Sequence, residues 1–312
     1  MLRDDSAGTA NAYAVPHDDV RTTFECAAFA GLLQSLLDAA EGGRLLDLGC
    51  GDGLVARIAE ARLESYVGLD LDPPAELPFP RAEARRHDLR DGLGPVGRQP
   101  FDVYVGGFGV ASHLAPAELE RLVGEISAHG RPGSIVALEA LGRYSLEWPT
   151  IWETPLGRER VLRYWLGATI DVHPWSPDEL RDLYERAGLE WIAAVDRSVQ
   201  AGPKVGAGDY WPSLPPLRRA INRLLRGDAA AAEVLMAPLP PLPAHPAAAL
   251  HHAVAARRRA MVARARETPE ALAAAVWTLE PQLGGGFGHG LFAVGRVPER
   301  GRRNGRPAFR SS

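Results

Sequence analysis

Cysteine is nearly absent from this chain: Cys26 and Cys50 are the two among 312 residues, and Cys50 stands inside a glycine-rich loop. No structural disulfide is expected, and a reducing compartment, the cytoplasm, fits. Long apolar runs are missing too, none approaching the roughly 18 continuous residues of a membrane-crossing helix. The first 19 residues are polar and acidic, without the hydrophobic stretch of a secretory signal. Charge of one sign is not in excess: 35 basic against 39 acidic residues leave −4, so no global field favours nucleic acid or an anionic membrane. Lysine is reduced to Lys204, a bias of GC-rich bacterial composition that says nothing of function. No metal site is expected, since His251 and His252 are adjacent and do not share a helix face.

What is present belongs to an ordinary globular chain, 46% hydrophobic and 24% charged. Residues 24–40 read as an amphipathic helix stopped by Gly42-Gly43, and Arg44 to Leu48 as the first strand. Further strands are expected at 66–70, 84–88, 101–108 and 134–140, with a helix from Pro116 to His129 between the last two. A second helix opens at Ser176-Pro177 and stops at Gly188, a strand follows at 190–199, and the last apolar strand is 291–297. Strands alternating with helices imply an α/β fold, a doubly wound sheet whose ligand lies at the carboxyl ends of the strands.

One stretch carries the chemistry. Leu45-Leu46-Asp47-Leu48-Gly49-Cys50-Gly51-Asp52-Gly53 runs a buried strand into a turn too tight for side chains, and the next helix begins with unpaired N–H groups. Asp47 is costly there unless hydrogen-bonded or matched by a positive ligand. Asp70 and Asp88 follow the next two strand ends, where one carboxylate would accept from a ribose diol and the other from an exocyclic amine. Each acid also reads, taken alone, as a cap or surface turn. A dinucleotide fingerprint needs its third glycine three positions after the second; Gly51 and Gly53 are two apart, and Asp47 would repel a pyrophosphate.

These motifs resemble those of the Rossmann-like S-adenosylmethionine-dependent methyltransferases: the acid before Gly-x-Gly-x-Gly, then Val67-Gly68-Leu69-Asp70, His87-Asp88-Leu89 and Phe101-Asp102-Val103-Tyr104-Val105. The resemblance covers 24–141 well, and 176–199 and 291–297 more loosely. It implies a mostly parallel seven-stranded sheet with helices on both faces and an antiparallel final strand. It also implies S-adenosyl-L-methionine as donor and S-adenosylhomocysteine as product. Asp47, Gly49, Cys50, Gly51 and Gly53 would then hold the methionyl part, Asp70 the ribose, and Asp88 with the Leu89 amide the adenine, with Leu71 and Gly107 also among the cofactor-binding residues.

Around a core of 24–142, 176–199 and 289–297, the sequence adds an arm (1–23), an aromatic insertion (143–175), an Ala- and Pro-rich helical insertion (200–288) with helices near 214–226 and 247–277, and a basic tail (298–312) expected to be disordered. The first insertion holds six large aromatics in 33 residues; Tyr144, Trp148, Trp152, Tyr164 and Trp165 are the candidate wall for a flat or apolar acceptor, with core packing as the competing reading. Arg143, Arg158, Arg160 and Arg163 lie among them, positions where solvated arginines are the default and an acidic substrate group the alternative. His113 and Glu139 are the candidate bases, needed only if a proton must leave the acceptor. The expected partner is a small molecule. The runs Arg257-Arg258-Arg259 and Arg264 with Arg266 read as solvated helix faces rather than a nucleic-acid surface. The competing functions are cofactor chemistry other than methyl transfer, and a non-catalytic protein docking a partner through 201–288.

Overall fold

The computed structural model describes residues 18–299 except 41, 156–159, 166–168, 201–214 and 240. The expectations for residues 1–17, Arg158 and the tail from 300 onward lie outside the described residues, as do the side chains of Tyr164 and Trp165.

Short apolar segments without alternation form the middle of the sheet. β1 (Arg44–Leu48), β2 (Ser65–Asp70), β4 (Val103–Gly106) and β5 (Ile135–Leu141) are buried almost throughout, as parallel strands covered on both faces must be. β3 (Ala82–Arg86), more polar, closes one edge. β6 (Leu162–Trp165) and β7 (Thr169–Val172) make a separate hairpin, while β8 (Glu190–Arg197) and β9 (Gly290–Arg296) complete the main sheet in the order β3-β2-β1-β4-β5-β9-β8. β9 runs antiparallel to both its neighbours, and the other strands of the main sheet pair in parallel.

Helices cover both faces. α1 (Cys26–Ala39) and α2 (Leu54–Ala59) share one apolar core with Leu45, Val103, Val105, Ile135 and Ala137. α3 (Pro116–His129) and α4 (Pro177–Arg186) share the other with Leu46, Leu48, Tyr104, Val136 and Leu138. The strict alternation of strand side chains sorts neighbours onto opposite faces. α4 starts where the sequence places it, because Ser176 accepts from the Glu179 amide and Glu179 accepts from the Ser176 amide.

Three expectations are corrected. The third strand ends at Arg86, so Asp88 stands two residues beyond it and caps the turn Leu89–Asp91, accepting from the Arg90 amide. The stretch 247–277 is two helices, numbered after α5 (Pro215–Leu225) and α6 (Ala232–Leu235): α7 (Pro246–Arg264) and α8 (Pro269–Trp277). Thr268 and Pro269 start the second helix, and a proline cannot continue the first. The basic run is not all solvated: Arg258 is buried, donates to the Leu235 carbonyl at 3.0 Å, and is pushed down to about 10 by burial.

The helical insertion builds a third core of its own. Leu217, Ile221, Leu224, Leu235, Leu272 and Val276 bury against Val20 of the arm and against Leu146 and Trp152 of the aromatic insertion.

Candidate functional site

The glycine loop after β1 is held down by the neighbouring strand. Gly49 and Cys50 both donate to the Leu69 carbonyl, at 2.8 and 3.1 Å, and Gly53 donates to Cys50 at 2.9 Å. Gly49, Gly51 and Gly53 have φ of 76°, 52° and 76°, conformations that would strain side-chain-bearing residues. A Cβ at Gly51 would meet nothing within 4 Å, so open space lies above the middle of the loop. Cys50 points the other way, buried above Gly68, where a Cβ would come within 2.7 Å of its Sγ.

Asp47 lies beneath this loop, 1% exposed, accepting a 2.6 Å hydrogen bond from the Tyr66 hydroxyl. Burial pushes its carboxyl up to about 7, against the Tyr66 bond and with help from Asp70 and Asp52. No cation of the described residues pairs with it. Asp70, at the tip of β2, accepts from the Gly51 amide through Oδ2 at 2.8 Å and from the Asp72 amide through Oδ1 at 3.0 Å. These bonds fix the carboxylate and leave lone pairs on both oxygens. Leu71, next along, is 52% exposed, an apolar side chain in water beside Asp70. Asp88 is the less open of the acids: Arg90 folds back on it with Nε and Nη2 at 3.0 and 2.6 Å, holding it below the usual carboxylate range. Leu89 is buried at the start of the turn that Asp88 caps.

Beyond β4 the chain turns through Gly107, Phe108 and Gly109. Phe108 takes φ of 54°, rare for an aromatic residue and costing about 1 kcal/mol or more. Its amide donates to Glu139, and its ring lies on Phe29 at 5.0 Å with the guanidinium groups of Arg21 and Arg197 at 4.8 and 4.9 Å. Glu139 is fully buried, with one oxygen on Phe108 and the other 2.6 Å from Arg197. Arg197 also reaches Glu25 at 3.4 Å, which pairs with Arg218 at 2.8 Å, which pairs with Asp18 at 2.8 Å. This buried chain of charges runs from the sheet to the arm and on to α5. His113 is half-buried without a hydrogen bond among the described residues, and burial lowers its imidazole to about 4.

The aromatic insertion divides. Trp148 and Trp152 are each 1% exposed, with indole N–H groups satisfied by the carbonyls of Gly142 and Ser145 at 3.0 and 2.9 Å. They are core residues, not an open pocket wall, which corrects that part of the expectation. Tyr144 is partly buried and stacks on His245 at 4.8 Å.

A pairing that sequence reasoning missed lies at the carboxyl end of β5. His289, just before β9, presents Nδ1 to both oxygens of Glu147 at 3.0 Å, and Glu147 is 1% exposed. The His289 backbone carbonyl accepts from Gly142. A buried carboxylate on Nδ1 fixes the orientation of the ring. The only signal in the sequence was His289 between two glycines at a strand entry.

Set beside known proteins, residues 22–194, more than half of the chain, match the family model described as "Methyltransferase domain". The chain belongs to this methyltransferase family. The chain is 33% identical over 169 residues to a ubiquinone biosynthesis O-methyltransferase of Ruegeria pomeroyi, covering 50% of this chain and 62% of that protein. It is 29% identical over 180 residues to the tRNA N(3)-cytidine methyltransferase METTL2 of Danio rerio, covering 52% and 49%. The chain thus spans less than two thirds of the length of these curated relatives. Among solved structures it is similar to the methyltransferase bound to the Trm112 activator of Haloferax volcanii, at 16% identity and a TM-score of 0.49, over 96% of this chain and 100% of that one.

The family's donor, S-adenosylmethionine, fits the residues present. Open space over Gly51 admits a ligand, Asp47 is a buried carboxyl without a cation, Asp70 is a fixed double acceptor, and Leu71 offers an exposed apolar surface. No helix among the described residues is long and apolar enough to cross a membrane.

Proposed function

We propose that this chain is an S-adenosylmethionine-dependent methyltransferase acting on a small aromatic or apolar acceptor. The observation that carries this is the loop of three left-handed glycines over a carboxyl pushed up to about 7 by burial, a site whose deficit is one positive charge. S-adenosylmethionine, when bound, supplies an electrophilic methyl on a cationic sulfur. Asp47 holds the ammonium end, Asp70 the ribose hydroxyls, and Leu71 with Leu89 the base. Asp88, already engaged by Arg90, contributes less than its position in the sequence suggests. Glu139 and Arg197 fix the strained Phe108 turn, so Glu139 positions the chain and does not carry a proton. Of the histidines, His113 is a weak base at about 4, and His289 is held by Glu147 at the carboxyl end of β5. In-line transfer needs chiefly alignment, which these contacts provide.

The test is purified protein with methyl-tritiated S-adenosylmethionine and a panel of phenols, hydroxybenzoates, amines and bulk tRNA. Label is expected in a phenolic or hydroxybenzoate product one methylene heavier than its precursor. Label confined to tRNA would overturn the small-molecule reading, and binding of S-adenosylhomocysteine without transfer to any member would favour a non-catalytic role.

A further inference from the structure

Four of the six buried side-chain polar atoms without a hydrogen-bond partner among the described residues belong to one patch: Nε of Arg143, Nε of Arg160, Nδ1 of His173 and Nε1 of Trp175. Buried polar atoms are otherwise satisfied in more than nine cases in ten, so such a concentration demands a cause. The patch is continuous. Arg143 donates its amide to the Trp175 carbonyl at 2.8 Å, and the His173 ring hydrogen-bonds the Arg160 backbone. Both guanidinium groups converge on a single carboxylate: Arg143 Nη1 lies 3.1 Å from one oxygen of Glu179 and Arg160 Nη2 lies 2.7 Å from the other. Each also reaches the Thr154 carbonyl, at 2.8 and 3.4 Å. Asp171 and Glu118 act on His173 at longer range without forming an ion pair with either arginine.

The charge does not balance. Two arginines, one of them fully buried, face one carboxylate that is already committed to the N-cap of α4, which leaves one positive charge in excess among the described residues. Burying an uncompensated charge is expensive, and proteins retain such groups where a ligand completes them. Arg143 at 14% and Glu179 at 19% side-chain exposure open the patch to solvent. Its location is also defined. The Ser112 hydroxyl donates to the His173 carbonyl at 2.7 Å and accepts from the Leu141 amide at 2.8 Å, tying the patch to the turn after β4 and the carboxyl end of β5.

We propose that Arg143 and Arg160 form an anion site that takes a carboxylate of the acceptor, making the substrate an aromatic or apolar acid. This rests on the methyltransferase reading and narrows it. The unused Nε–H groups supply the donors a carboxylate accepts.

The test uses the protein saturated with S-adenosylhomocysteine and follows thermal unfolding with 4-hydroxybenzoate, its neutral analogue 4-hydroxybenzamide, and inorganic phosphate. 4-Hydroxybenzoate is expected to raise Tm and to bind at least tenfold more tightly than the amide. In Arg160→Met and Arg143→Gln that protection is lost while S-adenosylhomocysteine affinity is kept. The unliganded Tm of at least one variant equals or exceeds the parent's, because the excess charge has gone. Equal binding of acid and amide, or no binding of either, overturns the proposal, as does phosphate protecting as well as 4-hydroxybenzoate. So does a Tm loss in both variants with no acid effect on the parent, the mark of a purely structural ion cluster. Failure of S-adenosylhomocysteine itself to bind would instead remove the reading on which the proposal stands.

Discussion

Replacing Asp47 by asparagine should abolish a pH dependence that the buried carboxyl imposes on both folding and cofactor binding. The side chain is 1% exposed and its carboxyl is raised from 3.8 to about 7, chiefly by burial. A shift of roughly three units is worth about 4 kcal/mol between the protonated and ionised forms. For an acid whose folded pKa lies above its unfolded value, the proton stabilises the folded state. That stability is full below about pH 4, declines as pH rises, and is lost once pH passes about 7. Asparagine keeps an oxygen for the Tyr66 hydroxyl and removes the titration. Urea unfolding of parent and Asp47→Asn at pH 5, 6, 7 and 8 should therefore give a difference that grows in the variant's favour up to pH 7 and then levels.

Cofactor binding provides the second half of the measurement. If Asp47 meets the ammonium of S-adenosylmethionine, binding ionises it, and about 0.9 proton is released at pH 6 by a group titrating near 7. Calorimetry in two buffers of different ionisation enthalpy counts that proton. Affinity should rise about tenfold per pH unit below 7 and flatten above, while Asp47→Asn binds more weakly with no proton release in this range. A parent that releases no proton, or a variant with the same pH slope as the parent, would refute the reasoning.

Asp70→Ala removes the acceptor of the Gly51 and Asp72 amides and should weaken S-adenosylhomocysteine binding by about 10- to 100-fold, as expected for hydrogen bonds to a charged group; an unchanged Kd would count against a ribose contact. Arg218→Met takes from Asp18 its ion-pair partner and leaves Glu25 with Arg197 and should cost about 3–5 kcal/mol of unfolding free energy, whereas a loss below 1 kcal/mol would show the chain of charges to be dispensable. Glu25 is held well below the usual carboxylate range because Arg218 and Arg197 outweigh its burial; the stability it adds is therefore present above its unfolded value and fades as pH falls in acid, a trend that Glu25→Gln should lack. His289→Ala takes the ring away from the buried Glu147 carboxylate and should cost about 1–3 kcal/mol of unfolding free energy, with S-adenosylhomocysteine affinity intact; an unchanged urea midpoint would show the pair to be dispensable.

The donor half of this protein was legible because it is local. Three left-handed glycines, an acid two residues before them, and a second acid on the next strand lie within 24 residues, and backbone geometry dictates the glycines. Asp88 shows the limit of that logic: its position was found, yet Arg90, two residues away, takes the carboxylate, and nothing in residue spacing reveals a side chain folding back. The tryptophans fail for another reason, since an indole lining a pocket and one filling a core are the same letter, and only the carbonyls of Gly142 and Ser145 beneath Trp148 and Trp152 decide. The contacts that tie the arm and the insertions to the core pair residues far apart in the chain. Glu147 meets His289 across 142 residues, and Arg218 meets Asp18 across 200. Such pairs leave no periodicity to read. They also connect the arm and both insertions to the end of β5, through Glu147 and His289 on one side and Asp18, Arg218, Glu25, Arg197 and Glu139 on the other.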